Sequence, residues 1–234
     1  MSAKNEFLTS IDLSLCLTLD REEAEVQPSS EAMFDMVHTN FLEFGDIWLD
    51  RFIAGKGEDC HIVDTDELPP DLEGSCPRES WRARPNAYNA WKAHREIIKN
   101  GIHHNAENLL IVEEDCVLRP SYFDWVLNGA SEFLMTQNWD MIYFGSYYRK
   151  SSSIEVHPNV IRMAGETGWH CVLINNRMFD VLLSLPALGP MDWLCADRIH
   201  QKHICYGLTP SVALQLETYS EVEDKMTNYN THLV

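Results

Sequence analysis

The sequence predicts an α/β domain, and the stretch Asn108 to Leu118 is the main reason. Leu109, Leu110, Ile111 and Val112 form a short apolar run, which reads as a buried strand. Glu113, Glu114 and Asp115 follow at once, and Arg119-Pro120 then opens a helical pattern. The second observation is the alternation of strand-like and helix-like segments along the chain, the pattern of an α/β sheet. Open α/β sheets bind ligands at the rim where strands end, so the acidic run marks the candidate site. Alternation points Glu113 and Asp115 to one side and Glu114 to the other. Carboxylates so placed can hold a hard divalent cation and leave positions for water and phosphate oxygens. Acidic residues also simply end strands or cap helices, which is the bland reading of the same run.

Composition narrows the class. The chain has 234 residues, 45% of them hydrophobic, enough for one domain with a substantial core. The net charge is −18, with 36 acidic against 18 basic residues. Such a balance excludes nucleic acid as the expected partner and disfavours anionic membrane. It leaves room for a small phosphorylated ligand bridged by a cation. The seven Cys are scattered without a C-x-x-C, which suggests buried free thiols in a reducing compartment rather than a disulfide framework or zinc site. No apolar run reaches the roughly 18 residues of a membrane span, and the N-terminal residues lack a signal-peptide core, so a cytoplasmic chain with no transmembrane segment is expected.

In order, residues 1–10 are expected to be a tail, 11–220 the domain, and 221–234 a polar tail. Ile11 to Leu19 alternates as a first strand and ends in Asp20-Arg21. Glu31 to Phe44 has helical spacing, with Ser30 as its cap and Gly45 as its stop. Ile47 to Ala54 reads as a short strand. Residues 60–78 read as an acidic, Pro-rich loop whose Asp64 and Asp66 are taken as solvated charges. Asn86 to Lys99 carries a clear helical stripe, stopped by Asn100-Gly101. Arg82 and Arg84 precede it and can grip an anion near its N-terminus, or form surface ion pairs. His94 lies on the apolar stripe and reads as a core histidine. Phe123 to Leu134 is a helix, and Asp140 to Gly145 a buried strand whose glycine permits close backbone approach. Residues 149–159 suggest a hairpin or loop, Cys171 to Ile174 a strand, and Arg177 to Leu185 a helix. Pro190 to about His203 suggests another helix with Asp192 near its start. A last strand falls within residues 204–216.

The ordered motifs resemble the family 25 type glycosyltransferases, which include lipooligosaccharide and collagen galactosyltransferase domains. L-T-L-D-R at 17–21 looks like that family's opening strand and turn. L-L-I-V-E-E-D-C-V-L at 109–118 is similar to its metal-binding block. W-D-M-I-Y-F-G at 139–145 with G-W-H-C-V-L-I-N at 168–175 looks like its central strands. P-M-D-W-L at 190–194 with P-S-V-A-L-Q at 210–215 resembles its ending. Glu114 stands where the family usually has Asp, and the family's S-H dipeptide has no match near Asn86-Ala87.

The resemblance implies a GT-A-like (Rossmann-like) mixed sheet flanked by helices. It implies a nucleotide-sugar donor such as a UDP-hexose, a glycan or other hydroxyl acceptor, and Mn2+ or Mg2+. Glu113 and Asp115 would hold the metal, with His170 or His232 as candidate third ligands. Leu19, Asp20, Arg21, Arg84 and Glu114 would contact the donor. Gly168, Trp169 and His170 would shape the sugar or acceptor pocket. Asp192, or else Asp197, would be the general base, though an Asp at the position of Asp192 also serves as a helix cap. A nucleotidyltransferase, or a non-catalytic carbohydrate- or protein-binding relative, would share much of this pattern.

Overall fold

The computed structural model describes residues 1–19, 28–54, 85–147, 152–187, 189–220 and 225–228. Its centre is an eight-stranded mixed sheet. Five strands take up the middle and one edge: β1 (Leu13–Thr18), β2 (Asp50–Ile53), β3 (Asn108–Glu113), β5 (Met141–Tyr143) and β8 (Cys171–Asn175). They are joined by β9 (Cys205–Leu208), β7 (Val160–Arg162) and β6 (Ile154–His157). The spatial order is β2-β1-β3-β8-β5-β9-β7-β6. β1 runs parallel to β2 and β3, and β5 parallel to β9, while β8 lies antiparallel between β3 and β5. β6 and β7 pair antiparallel as a hairpin over residues 154–162, so of the hairpin or loop expected at 149–159 a hairpin is found, running on to Arg162.

Both faces of the sheet are covered because its central strands are apolar on both sides. On β3, Leu109 and Ile111 pack with Ile97 and Ile98 of α3 (Pro85–His103), Phe179 and Leu182 of α5 (Phe179–Leu183) and Leu194 of α6 (Met191–Leu194). Leu110 and Val112 point the other way. They pack with Val37 and Phe41 of α2 (Ser30–Gly45) and Phe123, Val126 and Leu127 of α4 (Pro120–Thr136). The period-2 alternation of one strand thus sorts the helices into two layers. Among the described residues no helix is long and apolar enough to cross a membrane. Cys16, Cys116, Cys171, Cys195 and Cys205 are buried free thiols; Cys60 and Cys76 lie outside the described residues.

Several boundaries differ from expectation. Residues 1–10 are not a tail: α1 (Ala3–Thr9) starts at a Ser2 cap, lies on α4 and buries Phe7 in the core. Ser29, not Ser30, caps α2 through its side chain, and the left-handed residue at the end is Asp46 (φ 52°), not Gly45. α3 runs through Asn100-Gly101. Gly101 serves packing there, since a Cβ would stand 2.9 Å from Leu109 Cδ2. The expected helix of 190–203 is only the single turn α6 followed by a π-helical turn, Cys195–Ile199. The expected boundary at 220 falls within a short hairpin, in which β11 (Thr218–Ser220) pairs with β12 (Lys225–Thr227).

Candidate active site at the rim of the sheet

β3 delivers the acidic run to the sheet rim, where its backbone is pinned from both sides. The Glu113 N–H donates to His170 O at 2.9 Å, and the Glu114 N–H to Leu17 O at 3.0 Å. The chain then turns through Asp115 into β4 (Cys116–Leu118), which leaves the main sheet to pair antiparallel with β10 (Ala213–Gln215). Gln215 stands opposite Cys116, and the Leu216 N–H donates to Asp115 O at 2.7 Å. A two-stranded ribbon therefore holds the acids against a segment 100 residues later in the chain.

Side chains converge at this rim. Gln215 Nε2 donates to Glu113 Oε2 at 3.1 Å and lies 3.3 and 3.2 Å from the two Asp115 oxygens. Tyr147 OH donates to Gln215 Oε1 at 2.7 Å. His94 Nε2 lies 3.3 Å from Glu113 Oε1. Burial alone would raise the Glu113 pKa. The His94 ring beside it, with a smaller contribution from His170, instead holds Glu113 below its ordinary value, so it is a carboxylate at neutral pH. His94 is thus both the buried stripe residue expected from spacing and a direct partner of the acidic cluster. Behind it, the Trp169 ring meets His94 edge-on at 5.1 Å, and its indole N–H donates to Tyr143 OH at 3.3 Å.

Glycine makes room for this arrangement. A Cβ on Gly145 would stand 2.2 Å from His170 Nε2 and 2.3 Å from the Ala213 carbonyl oxygen. Gly168 has φ +111°, a conformation that side chains strongly disfavour. The backbone N–H groups of Gly168 and Trp193 face the Asp192 carboxyl and favour its charged form. Burial, followed by the charge of Glu113, raises its pKa to about 6. Burial lowers His170 to about 4, so its ring is neutral near pH 7.

Glu113, Asp115, Gly168, Trp169, His170 and Asp192 therefore belong to one neighbourhood built on β3, β8 and α6. Glu114 points away, as alternation predicts, and its Oε2 accepts the Leu19 N–H at 3.2 Å; both expected residues meet at the tip of β1. Two expected roles change. Trp169 is buried and backs His94 rather than facing a ligand. Asp197 is not part of the cluster: its side chain is 78% exposed on the π-helical turn and pairs with Arg198 at 3.7 Å. Asp20, Arg21, Arg84 and His232 lie outside the described residues, as do Asp64 and Asp66.

The metal expectation is also narrowed. Among the described residues no three His, Cys, Asp or Glu side chains gather around one point. His170 does not complete a set with Glu113 and Asp115, because its Nε2 faces the Ala213 carbonyl at 3.5 Å. Two carboxylates do converge on one donor nitrogen, with an amide oxygen on the same side chain. Such a hard-oxygen set fits Mg2+ or Mn2+ with positions left open. Gln215 and Tyr147 were missed as site residues by sequence reasoning, since only their places within the P-S-V-A-L-Q block and the Tyr147-Tyr148 pair stood out.

The class defined so far is a single mixed α/β domain with an acidic site at the rim of its sheet. No protein-family model matches the chain, and no curated protein does. Among solved structures it is similar to A197 from STIV, at 13% identity and TM-score 0.46, covering 95% of this chain and 96% of that one. It is also similar to HddC from Yersinia pseudotuberculosis in complex with GMP-PN, at 7% identity and TM-score 0.35, covering 87% and 93%. Both scores lie below 0.5, where likeness carries no inference about function.

Proposed function

We propose that the chain is a metal-dependent glycosyltransferase of family 25 type, with a GT-A-like fold. It would move a hexose from a nucleotide-sugar, UDP-hexose first among candidates, to a hydroxyl of a glycan or other acceptor. The observation that carries this reading is the pairing of two roles at one rim. Glu113 and Asp115 converge on a single point, and Asp192 stands close enough for Glu113 to raise its pKa.

Glu113 and Asp115, with Gln215 beside them, are the residues that would hold Mn2+ or Mg2+. That ion, when bound, supplies positive charge to the donor diphosphate and the departing nucleotide. His94 keeps Glu113 ionised for this task. Asp192 takes the proton from the acceptor hydroxyl. With a pKa of about 6 it is mostly ionised at pH 7 yet retains useful basicity. The Gly168 and Trp193 N–H groups fix the direction of its carboxylate. Leu19 and Glu114, joined at the tip of β1, line the side where the donor base and ribose would lie.

Calorimetric titration of UDP, with and without Mn2+, tests the reading in wild type and Asp115→Asn. Metal-dependent binding that the substitution abolishes supports it. Failure of UDP, GDP and CMP to bind under either condition would overturn it in favour of a non-catalytic relative. Product analysis with UDP-sugars separates sugar transfer from nucleotidyl transfer.

A further inference from the structure

The Gln215 amide occupies the point where the two carboxylates meet. Its NH2 faces groups that can only accept, and its oxygen faces the Tyr147 hydroxyl, which donates at 2.7 Å. Resting on the cation site of the proposed function, we propose that Gln215 is a reversible latch. Its NH2 bridges Glu113 and Asp115 when no cation is bound, and a half-turn of its amide gives its oxygen to a divalent cation as the third protein group of the site.

The geometry suits both states. Three carboxylate oxygens lie 3.1, 3.2 and 3.3 Å from Nε2. After the half-turn Oε1 stands where Nε2 stood, and the cation would lie between it and the carboxylates. Oxygens about 3 Å apart are spaced as neighbouring ligands of an octahedral ion held at about 2.0–2.1 Å, so the carboxylates need move little. Glutamine oxygen is an apt ligand for such hard ions. An amide is planar, and its two ends are nearly equal in size but opposite in hydrogen-bonding character, so the half-turn changes chemistry without changing volume.

The surroundings support a turn of the amide alone. The Gln215 backbone is fixed opposite Cys116. Tyr147 is buried, paired through its backbone with Thr167, and packed 5.0 Å from the His170 ring. A phenol hydroxyl donates or accepts, so Tyr147 can serve the amide oxygen in one state and the NH2 in the other. Burial, reinforced by the Asp115 charge, pushes the Tyr147 pKa up and keeps that proton in place. A third carboxylate at this position would bind a cation but leave three anions facing one another without it. The neutral amide serves both conditions.

The test uses the full chain and Mn2+ alone, with free Mn2+ measured by electron paramagnetic resonance. Gln215→Leu is expected to weaken Mn2+ binding about tenfold, the scale of one lost ligand worth about 1.4 kcal/mol, and Gln215→Glu to restore or exceed wild-type affinity. In 15N-labelled wild type, Mg2+ should shift the side-chain NH2 pair that is missing from the Gln215→Glu spectrum. This measurement stands even if the Leu variant fails to fold. Unchanged or tighter binding by Gln215→Leu, or an NH2 pair that Mg2+ leaves unmoved, would overturn the latch while the cation site survives. No Mn2+ binding by wild type would remove the site itself, and the latch with it.

Discussion

Replacing Asp192 by Asn separates its catalytic role from its cost to the fold. The carboxyl pKa rises from the ordinary 3.8 to about 6 on folding. At about 1.4 kcal/mol for each tenfold in proton affinity, that rise corresponds to about 3 kcal/mol. The sign follows from proton counting. Between pH 4 and 6 the folded chain binds the proton that the unfolded chain has released, so this contribution is fully present below pH 4. It is lost as pH rises through 6, so the fold is less stable at pH 8 than below pH 4 by a total of about 3 kcal/mol from this group. Asparagine has no charge to bury and keeps an oxygen for the Gly168 and Trp193 N–H groups. Asp192→Asn should therefore be more stable than wild type at pH 8 by up to about 3 kcal/mol, with a Tm higher by roughly 5 °C or more. Its advantage should vanish below pH 4. Sugar transfer, if Asp192 is the base, should fall by about 10²–10⁴. Thermal melts of both proteins from pH 4 to 8, with a transfer assay at pH 7.5, measure this. A difference in Tm that is flat with pH would refute the buried-carboxylate argument, and full activity in the variant would refute the base assignment.

Other expectations follow from single contacts. Glu114→Gln keeps an oxygen for the Leu19 N–H and, since Glu114 points away from Glu113, should change Mn2+ affinity by well under the roughly tenfold of a lost ligand; a loss like that of Asp115→Asn would place Glu114 among the ligands. Gly145→Ala drives a methyl group into the His170 ring and the Ala213 carbonyl. It should cost about 1–3 kcal/mol in urea denaturation, with the backbone oxygen unable to yield as a flexible side chain would. Ser29→Ala removes the side-chain oxygen that accepts the Ala32 N–H at 3.2 Å, and should cost about 1 kcal/mol by the same measurement.

Much of the layered fold was legible because it rests on local periodicity. The stripes of α2 and α4 and the apolar run of β3 each have one dominant spacing, and burial followed it. Helix ends were less legible. Gly101 carries a stop signal in sequence, yet Leu109 and the Phe179 ring need the space left by its missing side chain, and packing overrides the signal. The π-helical turn after α6 was hidden because its apolar residues continue a helical rhythm. At the site, alternation correctly put Glu114 on a different side from Glu113. It could not show that Gln215 and Tyr147 would close over the acids, since that follows from the pairing of β4 with β10. On sequence position alone, Asp192 is the first candidate base and Asp197 the second. The π-helical turn leaves Asp197 in solvent, while α6 holds Asp192 against the Gly168 N–H.

The pairing of β4 with β10 also sets an order on how the site can come into being. Glu113 and Asp115 are in place once residue 115 has been made, but the strand that turns Asp115 inward, and the amide set between the carboxylates, come from residues 213–215. A growing or shortened chain that stops before Ala213 holds the acids without the element that aims them. The proposed cation site therefore depends on residues 213–215, and a chain cut before Ala213 should lose it while keeping Glu113 and Asp115.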